Sequence, residues 1–142
     1  MPDIHHRLNI SARADAVHHL ISTAAGFREW WAEDADTAPD GRVTLGFFNR
    51  TTIYQLRLLH NDAQRVIWRC ETGQEWQGTD LIFTLEGNNT GVLLDFTHAN
   101  WKEATPYFIS CNTTWGGLMF RIRSAAENKQ PGPLFAKNSL AY

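Results

Sequence analysis

The sequence predicts an α+β fold in which a curved antiparallel sheet of about six or seven strands wraps around one long C-terminal helix. Three observations predict it. Apolar and polar residues alternate through the middle of the chain, short turn-forming segments separate the alternating runs, and an apolar stripe with helical spacing occupies the last third. Each alternating run has one apolar and one polar face, so one side of the sheet meets water and helices must cover the other.

A first strand and two short helices are predicted before the rest of the sheet. Asp3 to Ile10 alternates and is expected to form a strand, and Ser11 is expected to cap the helix that follows. This helix should stop at Gly26, and Phe27 to Ala32 should add one more helical turn. The acidic, turn-rich stretch from Glu33 to Gly41 predicts a surface loop.

Five alternating runs then predict an antiparallel meander, because turn-forming residues such as Asn61-Asp62 and Gly87-Asn88-Asn89 join them at hairpin length. The runs are Arg42 to Phe48, Thr51 to His60, Gln64 to Glu71, Thr79 to Leu85 and Gly91 to His98. The residues assigned to the inner, apolar face are Val43, Leu45, Tyr54, Leu56, Leu58, Val66, Trp68, Leu81, Phe83, Leu94 and Phe96.

The last third of the chain predicts one long helix that ends before Pro131-Gly132-Pro133. Its apolar stripe runs through Tyr107, Cys111, Thr114, Leu118, Ile122 and Ala125, and a second row through Phe108, Asn112, Trp115 and Met119 widens that face. A long helix across a curved sheet encloses a cavity, and cavities hold small molecules. Each residue of Gly116-Gly117 costs about 1 kcal/mol relative to alanine inside a helix, which predicts a kink or a close approach of the helix to the sheet or to a ligand.

Composition argues against several kinds of partner. The 142 residues are 43% hydrophobic with a formal charge of −2, which suits one domain, residues 1–142, and gives no electrostatic reason to bind nucleic acid or an anionic membrane. No apolar run is long enough to span a membrane and the N-terminus lacks the order of a signal peptide, so a cytoplasmic protein is expected. Cys70 and Cys111 are expected to be free, buried thiols, and no metal or cofactor is expected.

Specific residues resemble a known family. Ile10-Ser11-Ala12-x-x-Asp15-Ala16-Val17 and, further along, Glu29-Trp30-Trp31 resemble the opening of the branch of the SRPBCC, START-like (Bet v 1-like) superfamily that is named for activators of the Hsp90 ATPase. Trp115-x-x-Leu118, followed by Pro-Gly-Pro, resembles the C-terminal helix of that branch, although Thr114 stands where the branch commonly has glycine. The resemblance implies the helix-grip fold. Direct activation of Hsp90 is not expected, because the true co-chaperones carry an additional N-terminal domain.

Three functions remain open at this point. The first is binding of a small apolar or amphipathic ligand in a cavity between the sheet and the long helix, without catalysis. The residues assigned to that site are Trp31, Tyr54, Trp68, His98, Phe108, Asn112, Trp115 and Met119. The second is a cyclase-like or hydratase-like enzyme, a class that the superfamily also contains. The third is a protein-interaction module that binds its partner through the solvent-exposed face of the sheet or through the acidic surface loop.

The enzyme hypothesis depends on His98, with Tyr54 or His6 as its partner. His98 continues the inward parity of its run, and imidazole titrates near neutral pH. A buried histidine that is simply hydrogen-bonded to its neighbours explains the same pattern, and Trp30 and Trp31 are explained equally well as core. The sequence also leaves open whether the chain forms a homodimer.

Overall fold

One antiparallel sheet and three helices are formed by the residues that the computed structural model describes, 1–48 and 50–135. In chain order the elements are β1 (Ile4–Ile10), α1 (Ala14–Ser22), α2 (Ala24–Arg28), β2 (Asp34–Thr37), β3 (Val43–Phe47), β4 (Thr52–Asn61), β5 (Arg65–Cys70), β6 (Asp80–Asn88), β7 (Gly91–Ala99) and α3 (Pro106–Ala126). The strand order is β1-β7-β6-β5-β4-β3-β2, so the first strand pairs with the last and all other neighbours are consecutive. This arrangement confirms the predicted α+β helix-grip fold.

The inner face of the sheet is buried as the alternation predicts. Except for Leu58, every residue assigned to that face is at most 9% exposed. Partners across the strands stack in register, with Leu45 opposite Tyr54 and Phe83 opposite Phe96. α3 packs against β1 and α1, and its Trp115 ring contacts that of Phe96 at 4.2 Å between centroids. The core therefore lies between the sheet and the helices.

The prediction was wrong for Leu58, which was assigned to the buried inner face and is exposed. The pairing of β4 with β5 shifts between Leu58 and His60, which marks a β-bulge. Leu58 precedes the bulge and pairs with Trp68, so it keeps the inward parity, yet it is 37% exposed. Every residue of β4 from Arg57 to Asn61 is exposed, so the core ends at Leu56 on this strand, and alternation alone cannot show where a core ends.

The stretch predicted as a surface loop contains a strand, β2, which pairs with β3 at the edge of the sheet. Ala35 lies opposite Leu45 and is 1% exposed, while Asp34 forms an ion pair with Arg50 at 2.5 Å. Residues of type Asp-Ala-Asp-Thr have little intrinsic strand preference. Pairing with β3 therefore determines the strand conformation of this segment, which its own residues do not favour.

The helix boundaries also differ from the prediction. α1 has Arg13 at its N-cap, and Ser11 instead donates its backbone N–H to Oε2 of Glu127, beyond the end of α3, at 2.9 Å. Gly26 lies inside α2 and does not stop the preceding helix. A Cβ on Gly26 would approach the carbonyl oxygen of His19 to 2.2 Å, so close contact between α1 and α2 explains this glycine. The predicted turn from Phe27 to Ala32 is helical only as far as Arg28.

α3 is continuous through Gly116 and Gly117, and the hydroxyl of Thr105 caps it by accepting the N–H of Phe108 at 3.2 Å. A Cβ on Gly116 would lie 3.5 Å from Cε1 of His6 on β1, an ordinary contact. The buried side chains of the helix are Cys111, Trp115, Leu118, Met119, Ile122 and Ala126. The apolar face is therefore turned relative to the predicted stripe. None of the described helices is long and apolar enough to cross a membrane.

Candidate functional site

A cavity of about 280 Å³ lies between α3, the β3–β4 end of the sheet and the chain that follows α3. Its described lining is mostly aromatic and holds no charged side chain. The lining residues are Trp31, Phe47, Phe48, Thr52, Tyr54, Trp76, Tyr107, Ser110, Cys111, Thr114, Trp115, Leu118 and Phe135. Phe48 and Tyr107 are 37% and 36% exposed and Ser110 is exposed, so these residues stand at the mouth.

Three tryptophans form the deep wall. The ring of Trp31 lies 5.1 Å from that of Trp115 and 6.2 Å from that of Trp76, measured between centroids. Trp76 in turn stacks on Tyr54 at 4.5 Å with an interplanar angle of 11°. All three indoles are at most 5% exposed. These packed rings present flat apolar surfaces to the cavity.

Trp76 comes from the loop between β5 and β6, which folds back toward the cavity. The carbonyl of Gly73 accepts the backbone N–H of Trp76 at 3.2 Å, and the hydroxyl of Thr79 donates to the carbonyl of Trp76 at 2.6 Å. Gly73 has φ +111°, and a Cβ there would lie 2.5 Å from the ring of Tyr54. Only glycine therefore allows this loop to lie flat against Tyr54.

The chain after α3 closes one side of the cavity, and we call residues 131–135 the C-terminal strap. Arg121 holds it, because its Nη2 donates to the carbonyls of Pro131 and Gly132 at 2.6 and 2.7 Å. The backbone N–H of Phe135 donates to the carbonyl of Trp31 at 3.2 Å. The Phe135 ring then packs edge-to-face on Phe47, with 4.9 Å between centroids.

A pair of tyrosine hydroxyls supplies hydrogen-bonding groups to the cavity wall. The hydroxyls of Tyr54 and Tyr107 form a hydrogen bond of 2.8 Å. Burial raises the pKa of both phenols, so both are protonated at neutral pH. Burial also raises the pKa of the Cys111 thiol, so this group too is protonated at neutral pH. These groups are neutral hydrogen-bonding groups and not ionised catalysts.

His98 lies outside this cavity, behind Trp76. It is fully buried, and its Nδ1 accepts the indole N–H of Trp115 at 3.1 Å. Because Nδ1 is an acceptor, Nε2 carries the proton and donates to the hydroxyl of Thr79 at 2.8 Å. Burial lowers the pKa of His98 to about 3. The imidazole is therefore neutral and has both of its nitrogens occupied.

Solved structures of similar shape place this fold among known proteins. The Aha1 protein of Colwellia psychrerythraea, described as a dimer, is 26% identical, with a TM-score of 0.78 over 89% of this chain and 97% of that one. A Bacillus halodurans protein is 16% identical, with a TM-score of 0.71 over 89% of this chain and 97% of that one. An AHSA1-like protein of Aeromonas hydrophila is 12% identical, with a TM-score of 0.68 over 90% and 94%.

The chain has the AHSA1-like fold of the SRPBCC (Bet v 1-like) superfamily. No protein-family model matches the sequence, and no curated protein matches it. The pair Trp30-Trp31, which the sequence resemblance singled out, is divided between the core and the cavity. The two rings stack with 5.4 Å between centroids, and Trp30 donates its indole N–H to the carbonyl of Leu20 at 2.8 Å while Trp31 turns to the cavity.

Within this AHSA1-like fold, three of the residues assigned to the site from sequence line the cavity together: Trp31, Tyr54 and Trp115. The others lie elsewhere. Trp68 donates its indole N–H to the carbonyl of Ile21 at 2.8 Å, which joins the sheet to α1. Phe108 packs edge-to-face on Trp101 at 5.2 Å.

Asn112 and Met119 also lie outside the described lining. Asn112 is exposed, and its backbone carbonyl lies 3.2 Å from Nε2 of His6. Met119 is 3% exposed within the core. Both positions are turned away from the cavity because the face of α3 that lines it passes through Cys111, Thr114, Trp115 and Leu118.

Several lining residues were not assigned to the site from sequence, above all Trp76 and Phe135. Trp76 lies in a segment bounded by Gly73 and Gly78, where a large apolar residue is itself a signal for inward folding. Phe135 follows Pro131-Gly132-Pro133, a motif that predicts the end of a helix and carries no signal for a cavity residue. Tyr107, Cys111 and Thr114 were placed on the apolar stripe but were not given a site role.

Proposed function

We propose that the protein binds a small, neutral, predominantly apolar molecule in the aromatic cavity beneath α3. The observation that carries the proposal is a cavity of about 280 Å³ whose described lining is aromatic and uncharged. An apolar cavity of about 150 Å³ in a protein takes up benzene, so the present one suits a molecule of roughly two fused rings. Ligand sites in proteins have this concave, apolar character with few polar groups.

The geometry gives little support to the alternative that the protein is an enzyme with a catalytic histidine. A general base must come within hydrogen-bond reach of the proton that it removes. His98 uses both nitrogens on Thr79 and Trp115, and the ring of Trp76 contacts it on the cavity side at 4.8 Å between centroids. His6, the other candidate, lies within hydrogen-bond distance of the backbone of α3. Binding without acid–base chemistry by these histidines is the better supported function.

The proposal is tested by filling the cavity from α3. Thr114 is half-buried and lines the cavity, whereas the adjacent Thr113 is exposed. Thr114→Phe should occupy the space and weaken binding of acetonaphthone by at least about tenfold, which corresponds to about 1.4 kcal/mol. Thr113→Phe is the matched control and should bind like the parent. Quenching of tryptophan fluorescence reports binding, and equal affinity of parent and Thr114→Phe would reject the proposal.

We also propose that the protein self-associates as a homodimer. On α3 the side chains of Ile109 and Phe120 are 60% and 55% exposed, and their spacing of about three helical turns places them on one face. The description of the Colwellia protein as a dimer supports the proposal. Sedimentation velocity should show a dimer that the double variant Ile109→Ser, Phe120→Ser converts to a monomer. A monomeric parent at high concentration would contradict it.

A further inference from the structure

We infer that the cavity selects a ligand bearing a hydrogen-bond acceptor, such as the carbonyl oxygen of an aromatic ketone, and that the hydroxyls of Tyr54 and Tyr107 and the indole N–H of Trp76 form the subsite for it. This inference rests on the proposed binding function and names the chemical class of the ligand. We call these three donors the polar subsite.

The first observation concerns Trp76. The residue is 5% exposed, yet its buried Nε1 has no hydrogen-bond partner among the described residues. The neighbouring thiol of Cys111 is a weak acceptor. A buried N–H without an acceptor costs about 1–3 kcal/mol, so a ligand oxygen at this place would satisfy a group that the fold leaves unpaired.

Most other buried tryptophans of the core have a hydrogen-bond acceptor for the indole N–H. Trp30 and Trp68 donate to backbone carbonyls, each at 2.8 Å, and Trp115 donates to His98. Trp101 is also unpaired, but it is not part of the described cavity lining. Among the described residues, Trp76 alone combines an unpaired indole N–H with a place in the cavity wall.

The second observation concerns the tyrosine pair. In the hydrogen bond between Tyr54 and Tyr107, one hydroxyl donates and the other accepts. The accepting phenol keeps its own proton, which is free to bind a ligand acceptor. Since burial raises the pKa of both phenols, neither offers a phenolate that would bind a cation or act as a base. Tyr54 stacks on Trp76 with 4.5 Å between centroids and both line the cavity, so the tyrosine pair and the indole are neighbours in its wall.

The hydrogen-bond donors and the uncharged aromatic walls of the cavity together determine which chemical class of ligand it accepts. The cavity offers no described charged side chain to pair with an ion, and its aromatic walls favour a flat ring system. A pure hydrocarbon would leave the donors of the polar subsite without an acceptor in an apolar cavity, which lowers affinity. A ketone of the same shape replaces them.

The test compares acetonaphthone with ethylnaphthalene, in which a methylene group replaces the carbonyl. The parent protein should bind the ketone at least about fivefold more tightly, the size expected for one or two neutral hydrogen bonds. The double variant Tyr54→Phe, Tyr107→Phe should lose most of this preference while still binding ethylnaphthalene. Thr113→Val, which removes an exposed hydroxyl outside the described cavity lining, should keep the preference.

The outcomes separate the two proposals. If neither probe binds the parent, the proposed binding function fails. If both probes bind with equal affinity, binding stands and the polar subsite is rejected, whatever the stability of the variants. A second readout on the parent is the indole N–H resonance of Trp76, assigned by its loss in Trp76→Phe. It should shift downfield with the ketone and not with ethylnaphthalene, and an unchanged resonance with bound ketone would remove Trp76 from the subsite.

Discussion

The indole N–H of Trp115 donates to Nδ1 of His98 across 3.1 Å, and this bond fixes the imidazole as the neutral Nε2–H tautomer. Trp115 is also part of the cavity wall. A single side chain of α3 therefore anchors the helix to β7 and shapes the cavity at the same time. His98 contributes by holding Trp115 in position, and it does not reach the ligand space.

The first prediction concerns acid stability. Burial lowers the pKa of His98 from 6.5 to about 3, so the unfolded chain takes up this proton at a higher pH than the folded protein does. The stabilisation that His98 provides is complete above pH 6.5 and is lost as the pH falls toward 3. Urea unfolding across this range should show a steeper fall in the free energy of unfolding for the parent than for His98→Gln.

The exposed His5 supplies a control for that experiment. His5→Gln makes the same chemical change outside the core, so it controls for the substitution itself. Carboxylates whose pKa is lowered by arginine or backbone partners, such as Asp40 and Glu71, also lower acid stability, but they do so in all three proteins. Parallel curves for the parent and His98→Gln would show that folding does not lower the pKa of His98.

The second prediction concerns Gly73, whose missing side chain lets the β5–β6 loop lie against Tyr54. Gly73→Ala places a Cβ 2.5 Å from the Tyr54 ring at φ +111°. We expect a loss of about 1–3 kcal/mol in the free energy of unfolding from strain and weaker probe binding, because Tyr54 must move. Gly87→Ala is the control, since nothing lies within 4 Å of a Cβ at Gly87. Equal stability of the two variants would contradict this role of Gly73.

The third prediction concerns Trp115, which belongs to both the core and the cavity. Trp115→Ala should lower the free energy of unfolding by about 3–5 kcal/mol, the usual cost of removing a buried tryptophan. The enlarged hollow should nevertheless take up an apolar fluorescent probe more readily than the parent does. Denaturant titration measures the first effect and probe fluorescence the second. A variant that stays folded but binds no probe would show that Trp115 does not border the ligand space.

The fourth prediction concerns the two cysteines, which are free and buried. Burial raises the pKa of Cys70 to about 12 and also raises that of Cys111, so both should react slowly with a thiol reagent. Cys111 lines the cavity and Cys70 does not. Acetonaphthone should therefore slow the labelling of Cys111 and leave that of Cys70 unchanged, as mass spectrometry of the labelled peptides can show. Rapid labelling of both in the folded protein would contradict their burial.

The fold could be predicted from the sequence because its two periodicities are clear. Alternation placed residues such as Leu45, Phe83 and Phe96 on the buried face, and the helical spacing located α3. Where local patterns compete with tertiary contacts the prediction was wrong. The core ends before Leu58 on β4, and pairing with β3 makes a strand of Asp34–Thr37.

The site was harder to predict because it depends on contacts between distant parts of the chain. Trp31, Tyr54 and Trp115 lie on regular elements or at their ends, and inward parity or family resemblance identified them. Trp76 and Phe135 come from irregular segments that long-range hydrogen bonds and Arg121 hold against the cavity. Periodicity carries no information about such segments. The single-domain organisation and the cytoplasmic location remain predictions, and residues 49 and 136–142 lie outside the described part of the chain.

A crystal structure of the protein grown with acetonaphthone tests the central claim most directly. We expect the ring system between Trp31, Trp115 and Phe135, with its carbonyl oxygen within hydrogen-bond distance of Tyr107 or Tyr54 or of Nε1 of Trp76. Density for the ring system with the carbonyl turned away from these donors would retain the cavity as a binding site and reject the polar subsite. A cavity closed by its own side chains at saturating ketone would contradict ligand binding altogether.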